Sequence, residues 1–252
     1  MPNTCNESFI LKQKILLITG WGVGIAVLDP LKQALKGSGY DVELIDIFNA
    51  LDPQVLQQKV QYAQTFDVLI GWSLGGQLAA LLANEIEQQY AQKKVLISLA
   101  SNPCFVVQDI WADAMDLTTF QHFKQSFEQN ADATLKRFAY MLTQGAVTAK
   151  RDFIQLQNLI EPLNQCLLKQ GLELLACLNI VDKLKNYKGA QYHIFAAQDA
   201  LVPCKVFQNI QNFDAKFLNV EQILGSHSFP IFQAQEISDK ICQYLQKIKQ
   251  TD

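Results

Sequence analysis

One serine in this chain stands in a setting that suits nucleophilic chemistry. An apolar run at 67–70 leads into Gly71-Trp72-Ser73-Leu74-Gly75-Gly76, and good helix formers follow from Gln77 to Glu87. Strand, G-x-S-x-G and helix in this order place a serine on a sharp, strained turn with its hydroxyl exposed above a parallel sheet. Glycines flank it because side chains would collide where strand and helix nearly touch. The alternative is an ordinary glycine-rich loop, but the flanking pattern favours catalysis.

A serine hydroxyl needs a base to accept its proton and an acid to orient that base. His227 lies just after the last predicted strand and before the last predicted helix, which favours it as the base. Asp199 directly follows the preceding predicted strand and is the favoured acid. The chain order Ser73, Asp199, His227 is known from one large class of hydrolases.

Other residues compete for these two roles. Asp109 is the alternative acid, but it lies further beyond its predicted strand than Asp199 does. His193 falls inside a predicted strand, so we expect it in the core or the sheet. His122 lies on a predicted helix, where we expect it at the surface.

Acyl transfer creates an oxyanion, which needs backbone donors that are in place beforehand. One predicted donor is the N–H of Leu74, at the start of the helix that follows the serine. The second comes from the loop after the first long strand, Gly20-Trp21-Gly22-Val23-Gly24, and we assign it to Trp21. These glycines could instead only make a turn. They are not a dinucleotide fingerprint, because G-x-G-x-x-G is absent and no acidic residue follows at the usual spacing.

The bulk composition suits one large globular unit. The chain has 252 residues, of which 49% are hydrophobic and 18% charged, which allows a sizeable core and excludes wholesale disorder. A net charge of −3 gives no case for nucleic acid or an anionic membrane, and no apolar run approaches the ~20 residues of a membrane span. The N-terminal residues lack the order of a signal peptide. The six cysteines show neither C-x-x-C pairs nor metal-ligand spacing. We therefore expect a cytoplasmic monomer with reduced thiols, no metal and no cofactor, which binds neither nucleic acid nor membrane.

Strands alternate with helices along much of the chain. Strands are predicted near 14–20, 42–47, 67–70, 94–100, 192–197 and 217–224. The alternation predicts an α/β fold with a mostly parallel central sheet flanked by helices. Between 109 and 186 the pattern is helical throughout, with helices near 117–129, 131–144, 148–159 and 163–178. We interpret 109–186 as a helical lid inserted into a core made of 1–108 and 187–252.

The residues described above resemble those of α/β-hydrolases, most of all the pimeloyl-[acyl-carrier protein] methyl ester carboxylesterases of biotin synthesis (the BioH family). The resemblance spans nearly the whole chain and includes Ala100–Phe105 (ASNPCF), Arg137-Phe138, Gly171–Leu175 (GLELL) and Asp199–Pro203 (DALVP). It implies the α/β-hydrolase fold with a lid and the triad Ser73, Asp199 and His227. It also implies Trp21 and Leu74 as the oxyanion hole, and an acyl channel lined by Trp72, Phe105 and Phe138.

The chain departs from the family pattern at two places near the predicted site. Thr19 stands where the family usually has a histidine. The segment at 46–52, DIFNALD, replaces the Asp-x-Pro-Gly-x-Gly-x-Ser turn that is expected after the second strand.

One stretch of the predicted lid, residues 133–151, is positively charged. In the family, lid cations meet the acyl-carrier protein; Arg137 and Lys150 match two of them, whereas Ala133 and Ile154 occupy two other such positions. Independently of the resemblance, Arg137 and Arg151 are the only arginines of the chain, and no acidic residue lies between 133 and 151. Because the planar guanidinium suits phosphate and carboxylate, these residues either dock an acidic carrier protein or form a solvated helix face.

These observations predict a serine carboxylesterase that hydrolyses the methyl ester of pimeloyl-[acyl-carrier protein] to methanol and the free acyl carrier, in biotin biosynthesis. The first alternative is a general short-acyl carboxylesterase or another α/β-hydrolase, such as one that cleaves carbon–carbon bonds. The second is a non-enzymatic scaffold that binds an acyl ligand. The intact serine, acid and base argue against the scaffold.

Overall fold

The computed structural model of the protein describes residues 12–250, so the N-terminal segment with Cys5 lies outside the described residues. Within this range six strands form one sheet in the order β2-β1-β3-β4-β5-β6, and every neighbouring pair is parallel. The strands are β1 (Lys14–Ile18), β2 (Asp41–Ile45), β3 (Val68–Trp72), β4 (Val95–Leu99), β5 (Gln191–Ala196) and β6 (Leu218–Ile223). The predicted parallel α/β sheet is confirmed.

Burial along the strands follows their position in the sheet. Every residue of the inner strands β3 and β5 is buried, as expected of near-continuous apolar runs that are covered by helices on both faces. The edge strands β2 and β6 are mostly half-buried or exposed. The apolar runs that read as strands in the sequence are therefore the centre of the core.

Eleven α-helices lie within the described residues, together with a short 3-10 turn at Ala26–Leu28. They are α1 (Asp29–Gly37), α2 (Pro53–Ala63), α3 (Leu74–Tyr90), α4 (Leu117–Gln129), α5 (Ala131–Thr143), α6 (Ala149–Leu159), α7 (Gln165–Cys177), α8 (Val181–Asn186), α9 (Cys204–Gln211), α10 (Phe229–Phe232) and α11 (Ala234–Lys249). The short helices α8 and α10 were not predicted. The sequence order Asp52-Pro53 predicts an N-cap with proline at the first position of a helix. The side chain of Asp52 accepts hydrogen bonds from the N–H groups of Gln54 and Val55, which confirms this cap of α2.

Helices α4 to α8 lie between β4 and β5 in the chain. Their buried apolar side chains, such as Phe120, Phe138, Leu156 and Leu172, belong to the same continuous core as the strands. The division into a core and a lid therefore stays a prediction. Within residues 12–250, no helix combines the length and the apolar character that crossing a bilayer requires.

Candidate active site

The turn after β3 has the strained geometry that the sequence predicts. Ser73 lies between β3 and α3 with φ 55° and ψ −123°, a backbone conformation that non-glycine residues rarely adopt. A Cβ atom on Gly71 would lie 2.0 Å from the carbonyl oxygen of Gly75, and one on Gly75 would lie 2.3 Å from the carbonyl oxygen of Thr19. Only glycine fits at both positions, because in each case the neighbouring atom belongs to the backbone.

The loops after β5 and β6 bring the predicted acid and base together. His227 Nδ1 lies 2.8 Å from Asp199 Oδ2 and 3.1 Å from Oδ1, and both side chains are buried. Asp199 Oδ1 also accepts hydrogen bonds from the backbone N–H groups of Leu201 and Val202, at 2.8 and 3.0 Å. The carboxylate is therefore held from its own loop and is aimed at the imidazole.

The other ring nitrogen of His227 is buried and has no hydrogen-bond partner among the described residues. Since Nδ1 faces the carboxylate, Nε2 is the atom that could accept a proton. The structure contains no hydrogen bond between Nε2 and Ser73 within the described range. Such a bond often tightens only when substrate is bound.

The competing residues lie elsewhere. Asp109 is exposed in the segment after β4, so the acid beside His227 is Asp199. His193 is buried in β5, where Nδ1 lies 2.6 Å from the hydroxyl of Ser98, and burial lowers its pKa to about 4. His193 is thus a neutral residue of the sheet, as predicted, and His122 is exposed on α4.

Ser73 faces a cavity whose lining is otherwise apolar. The other lining residues are Trp21, Phe105, Met115, Phe120, Phe123, Phe138, Met141, Leu175 and Leu201. They come from α4, α5, α7 and the loops that follow β1, β4 and β5, so the inserted helices cover the serine. Phe105 and Phe138 are among the residues expected there. Such a lining suits a hydrocarbon chain.

Trp72, the third residue expected in the acyl channel, is not among the described residues that line the cavity. Its side chain is fully buried, and its indole nitrogen donates a hydrogen bond to the backbone carbonyl of His227 at 2.9 Å. The position of Trp72 in the strand explains its burial. Trp72 is the last residue of β3 and its side chain packs against the His227 loop, so that only the following residue, Ser73, reaches the cavity.

The two predicted oxyanion donors belong to segments that meet at Ser73. Leu74 is the first residue of α3, where a backbone N–H has no intrahelical acceptor. Trp21 lies in the loop after β1, and this loop meets the serine: a Cβ atom on Gly20 would lie 3.1 Å from the Cβ of Ser73. Within the described residues neither backbone N–H makes a hydrogen bond. Both are therefore available to an oxyanion.

Comparisons with known proteins agree with an esterase site. No family model matches the chain. The pimeloyl-[acyl-carrier protein] methyl ester esterase of Shewanella woodyi is 28% identical over 254 residues, which cover 96% of this chain and 97% of the relative. The protein of the same name from Xylella fastidiosa (strain M12) is 30% identical over 206 residues, which cover 77% of this chain and 79% of the relative. The chain belongs to the pimeloyl-[acyl-carrier protein] methyl ester esterase family.

Another relative of this esterase is the biotin biosynthesis bifunctional protein BioHC of Cellvibrio japonicus, which is 29% identical over 93% of this chain and 48% of its own length. Among solved structures, an esterase from Exiguobacterium antarcticum has a TM-score of 0.79 at 15% identity, and a bromoperoxidase from Bacillus anthracis has 0.78 at 16%. Each comparison covers 93% of this chain and 92% of the other. At such identities they show the α/β-hydrolase fold alone. By its family, the chain is a carboxylic ester hydrolase.

Sequence reasoning missed much of the aromatic lining of this esterase. The indole of Trp21 donates to the carbonyl of Leu168 at 2.8 Å, and its ring meets Phe123, Phe127 and Phe138 edge-on at centroid distances of 5.6, 5.8 and 4.9 Å. A signal was present in the sequence, because the phenylalanines at 120, 123 and 127 recur at helical spacing and mark one face of α4. What they face could not be read from that spacing.

The predicted docking residues lie outside the cavity of this esterase. Arg137 is exposed on α5, and Lys150 and Arg151 are exposed on α6, which packs against α5. The guanidinium of Arg151 lies 3.3 Å from the buried carboxylate of Asp152. Arg137 approaches the hydroxyl of Thr134 at 3.5 Å. The structure thus brings the three cations onto two neighbouring helices, one of them already in an ion pair.

Proposed function

We propose that this esterase hydrolyses the methyl ester of pimeloyl-[acyl-carrier protein] in biotin biosynthesis, with Ser73, His227 and Asp199 as its catalytic residues. One observation carries the proposal: the strained serine is the single polar side chain among the described residues that line an apolar cavity. The imidazole–carboxylate pair, whose loop is hydrogen-bonded to the residue before this serine, and the names of the relatives support it.

In the first half-reaction, the Ser73 oxygen attacks the carbonyl carbon of the methyl ester while His227 Nε2 takes the hydroxyl proton. The Asp199 carboxylate stabilises the resulting imidazolium and keeps its ring in place. The oxyanion of the tetrahedral intermediate accepts hydrogen bonds from the N–H groups of Trp21 and Leu74. The carbon–oxygen bond to the methoxy group then breaks, Nε2 returns the proton, and methanol leaves.

In the second half-reaction, water attacks the acyl-enzyme and gives its proton to His227 Nε2. The bond between the acyl carbon and the Ser73 oxygen breaks, and the serine regains its proton from the imidazolium. The product is a carboxylic acid that ionises at neutral pH. A carboxylate is poorly solvated among phenylalanine and methionine side chains, so the apolar lining favours release of the product.

Residues 109–186, with helices α4 to α8, serve as the lid in this proposal, and Arg137, Lys150 and Arg151 on this lid meet the carrier protein. Acyl-carrier proteins are acidic, and exposed cations attract an acidic partner over a distance of about 10 Å at moderate salt. We place the reaction in the cytoplasm. The five cysteines within the described residues are all unpaired, which fits a reducing compartment.

A general short-acyl carboxylesterase is the second candidate. Two observations favour it: no charged side chain is among the described residues that line the cavity, and Ala133 and Ile154 interrupt the cationic surface. Neither feature would reduce hydrolysis of a small neutral ester. The two candidates therefore differ in how much the carrier protein adds to kcat/KM.

The test compares kcat/KM on carrier-bound pimeloyl methyl ester with kcat/KM on p-nitrophenyl butyrate. We expect the carrier-bound ester to be preferred, and expression of the chain to restore growth without biotin to a strain that lacks its own carboxylesterase. Ser73→Ala should lower both activities by about 10⁴-fold or more with the fold intact. Ser38→Ala, at the end of α1 away from the cavity, is the matched control. A preference for the small ester without growth rescue would support the second candidate, and failure of a fluorophosphonate to label Ser73 would support a non-enzymatic scaffold.

A further inference from the structure

The loops that carry the proposed acid and base are joined by more than the carboxylate–imidazole contact. The backbone N–H of Gln198, the residue before Asp199, donates to the carbonyl of Gly225 at 3.1 Å. In return, the backbone N–H of Gly225 donates to the side-chain oxygen Oε1 of Gln198 at 2.7 Å. The backbone and the side chain of Gln198 thus each make one hydrogen bond with the backbone of Gly225, two residues before His227.

The position of Gly225 explains why these two hydrogen bonds matter for the His227 loop. Its φ of 142° belongs to the region that favours glycine, so the chain turns here without a side chain to stiffen it. No regular element holds the segment between the end of β6 and α10. The segment that presents His227 thus begins at a flexible glycine, and the backbone and side-chain amides of Gln198 both bind this glycine to the Asp199 loop.

The turn after α5 packs against the same place. A Cβ atom on Gly145 would lie 2.0 Å from the carbonyl oxygen of Gln198, and the N–H of Ser228 donates to the carbonyl of Leu142 at 3.0 Å. Gln198 is itself exposed, and it is not among the residues that line the cavity. Its contacts are therefore with the loops of the site and not with the acyl chain.

We propose that Gln198 is a positioning residue that holds the His227 loop against the Asp199 loop. This inference rests on the proposed triad. The Ser73 oxygen must reach Nε2 in the reacting complex, and a displacement of about 1 Å at such a contact lowers the rate about 10²-fold. Without the side-chain amide of Gln198, the Gly225 N–H would lose its acceptor at the start of the His227 loop, while the bonds of this loop to the Gln198 backbone and to Trp72 would remain.

The kinetic test uses p-nitrophenyl butyrate, so that it does not depend on the carrier protein. Gln198→Ala should lower kcat about 10-fold and leave KM within about two-fold, because the cavity is untouched. Gln198→Glu keeps an acceptor oxygen for the Gly225 N–H and should restore most of kcat. Gln57→Ala removes a half-buried glutamine on α2, whose amide donates to Gln89 and which does not line the cavity, and it should match the wild type. A Gln198→Ala variant with the kcat of Gln57→Ala would overturn the proposal, and so would a Gln198→Glu variant as slow as Gln198→Ala.

A second measurement does not depend on activity. Amide hydrogen exchange of the segment 224–228 should become faster in Gln198→Ala than in Gln57→Ala, because Gly225 loses its acceptor. Unchanged exchange in this segment would overturn the proposed role of Gln198 even if the Gln198→Ala enzyme were slow. A wild-type protein without esterase activity would contradict the proposed function, and the exchange result would still decide whether the two loops are joined in this way.

Discussion

The indole nitrogen of Trp72 lies 2.9 Å from the backbone carbonyl oxygen of His227, and the two rings lie 5.7 Å apart between centroids. Both residues are fully buried. Because Trp72 directly precedes Ser73, the end of β3 supports the proposed nucleophile and the loop of the proposed base at the same time.

We expect Trp72→Phe to weaken both stability and catalysis. The carbonyl of His227 would lose its buried donor, which lowers the free energy of unfolding by about 1–3 kcal/mol. The loop would also shift, so kcat on a small ester should fall about 10-fold. Trp111→Phe is the matched control, since it removes a buried indole donor to Asn102, and neither residue is among the described residues that line the cavity. Urea unfolding should show similar losses of stability in the two variants. Steady-state kinetics should show a lower kcat in Trp72→Phe alone, and equal kcat values in the two variants would contradict the role of Trp72 in catalysis.

The glycine after the proposed oxyanion donor should not tolerate a side chain. A Cβ atom on Gly75 would lie 2.3 Å from the carbonyl oxygen of Thr19 and 2.4 Å from that of Ile18, both in the backbone next to the sheet. We expect Gly75→Ala to lower the free energy of unfolding by about 3 kcal/mol or more. Gly37, the last residue of α1, has open space around it, so Gly37→Ala should raise stability by about 0.5–1 kcal/mol. Thermal and urea unfolding measure both effects. A Gly75→Ala variant as stable as the wild type would show that a side chain at position 75 fits beside the backbone of Ile18 and Thr19.

His193 should make the fold sensitive to acid. Burial lowers its pKa from 6.5 to about 4, so the unfolded chain takes up a proton at a higher pH than the folded chain does. The free energy of unfolding should therefore be full above pH 6.5 and fall as the pH drops towards 4, by about 3 kcal/mol in all. His193→Gln should remove this part of the pH dependence, and the exposed His122→Gln should not. Urea unfolding between pH 7 and pH 4 measures this dependence. If the free energy of unfolding falls by the same amount in the wild type and both variants, His193 is not the group responsible.

The turn after α5 should matter for catalysis through its contact with Gln198. Gly145 and Gly39 have similar positive φ angles, 93° and 96°, but only Gly145 has a neighbour that a Cβ atom would strike. Both alanine variants should lose about 1 kcal/mol of stability to backbone strain, with a further loss at Gly145. We expect kcat on p-nitrophenyl butyrate to fall only in Gly145→Ala. Equal activities in the two variants would exclude a link between this turn and the Asp199 loop.

Neutralising the cations on α5 and α6 separates carrier docking from chemistry. The triple variant Arg137→Gln, Lys150→Gln, Arg151→Gln should lower kcat/KM on the carrier-bound ester about 10- to 100-fold and leave the small ester within about two-fold. The control removes the same charge from exposed lysines elsewhere, at Lys36, Lys205 and Lys249. It should affect the carrier-bound ester far less. Equal losses of kcat/KM on the carrier-bound ester in the two triple variants would show that only the net charge of the enzyme matters, and not the cations on α5 and α6.

The sequence by itself determined the elements and the local geometry around the serine. The apolar runs were strands because every inner strand is covered on both faces, and the Asp52 cap and the glycines at 71 and 75 follow from backbone rules that act over a few residues. Such rules hold wherever the segment lies in the fold. They also limited the base to one histidine, since His193 falls inside a strand and His122 on a helix.

Tertiary structure alone decided which distant groups meet. Asp199 faces His227 and Asp109 does not, and Trp72 supports the His227 loop and is not among the described residues that line the cavity. The aromatic face of α4 is visible as a pattern, but its contact with Trp21 is not. These relations depend on how irregular loops and inserted helices pack over the sheet, and no periodicity in the chain encodes them.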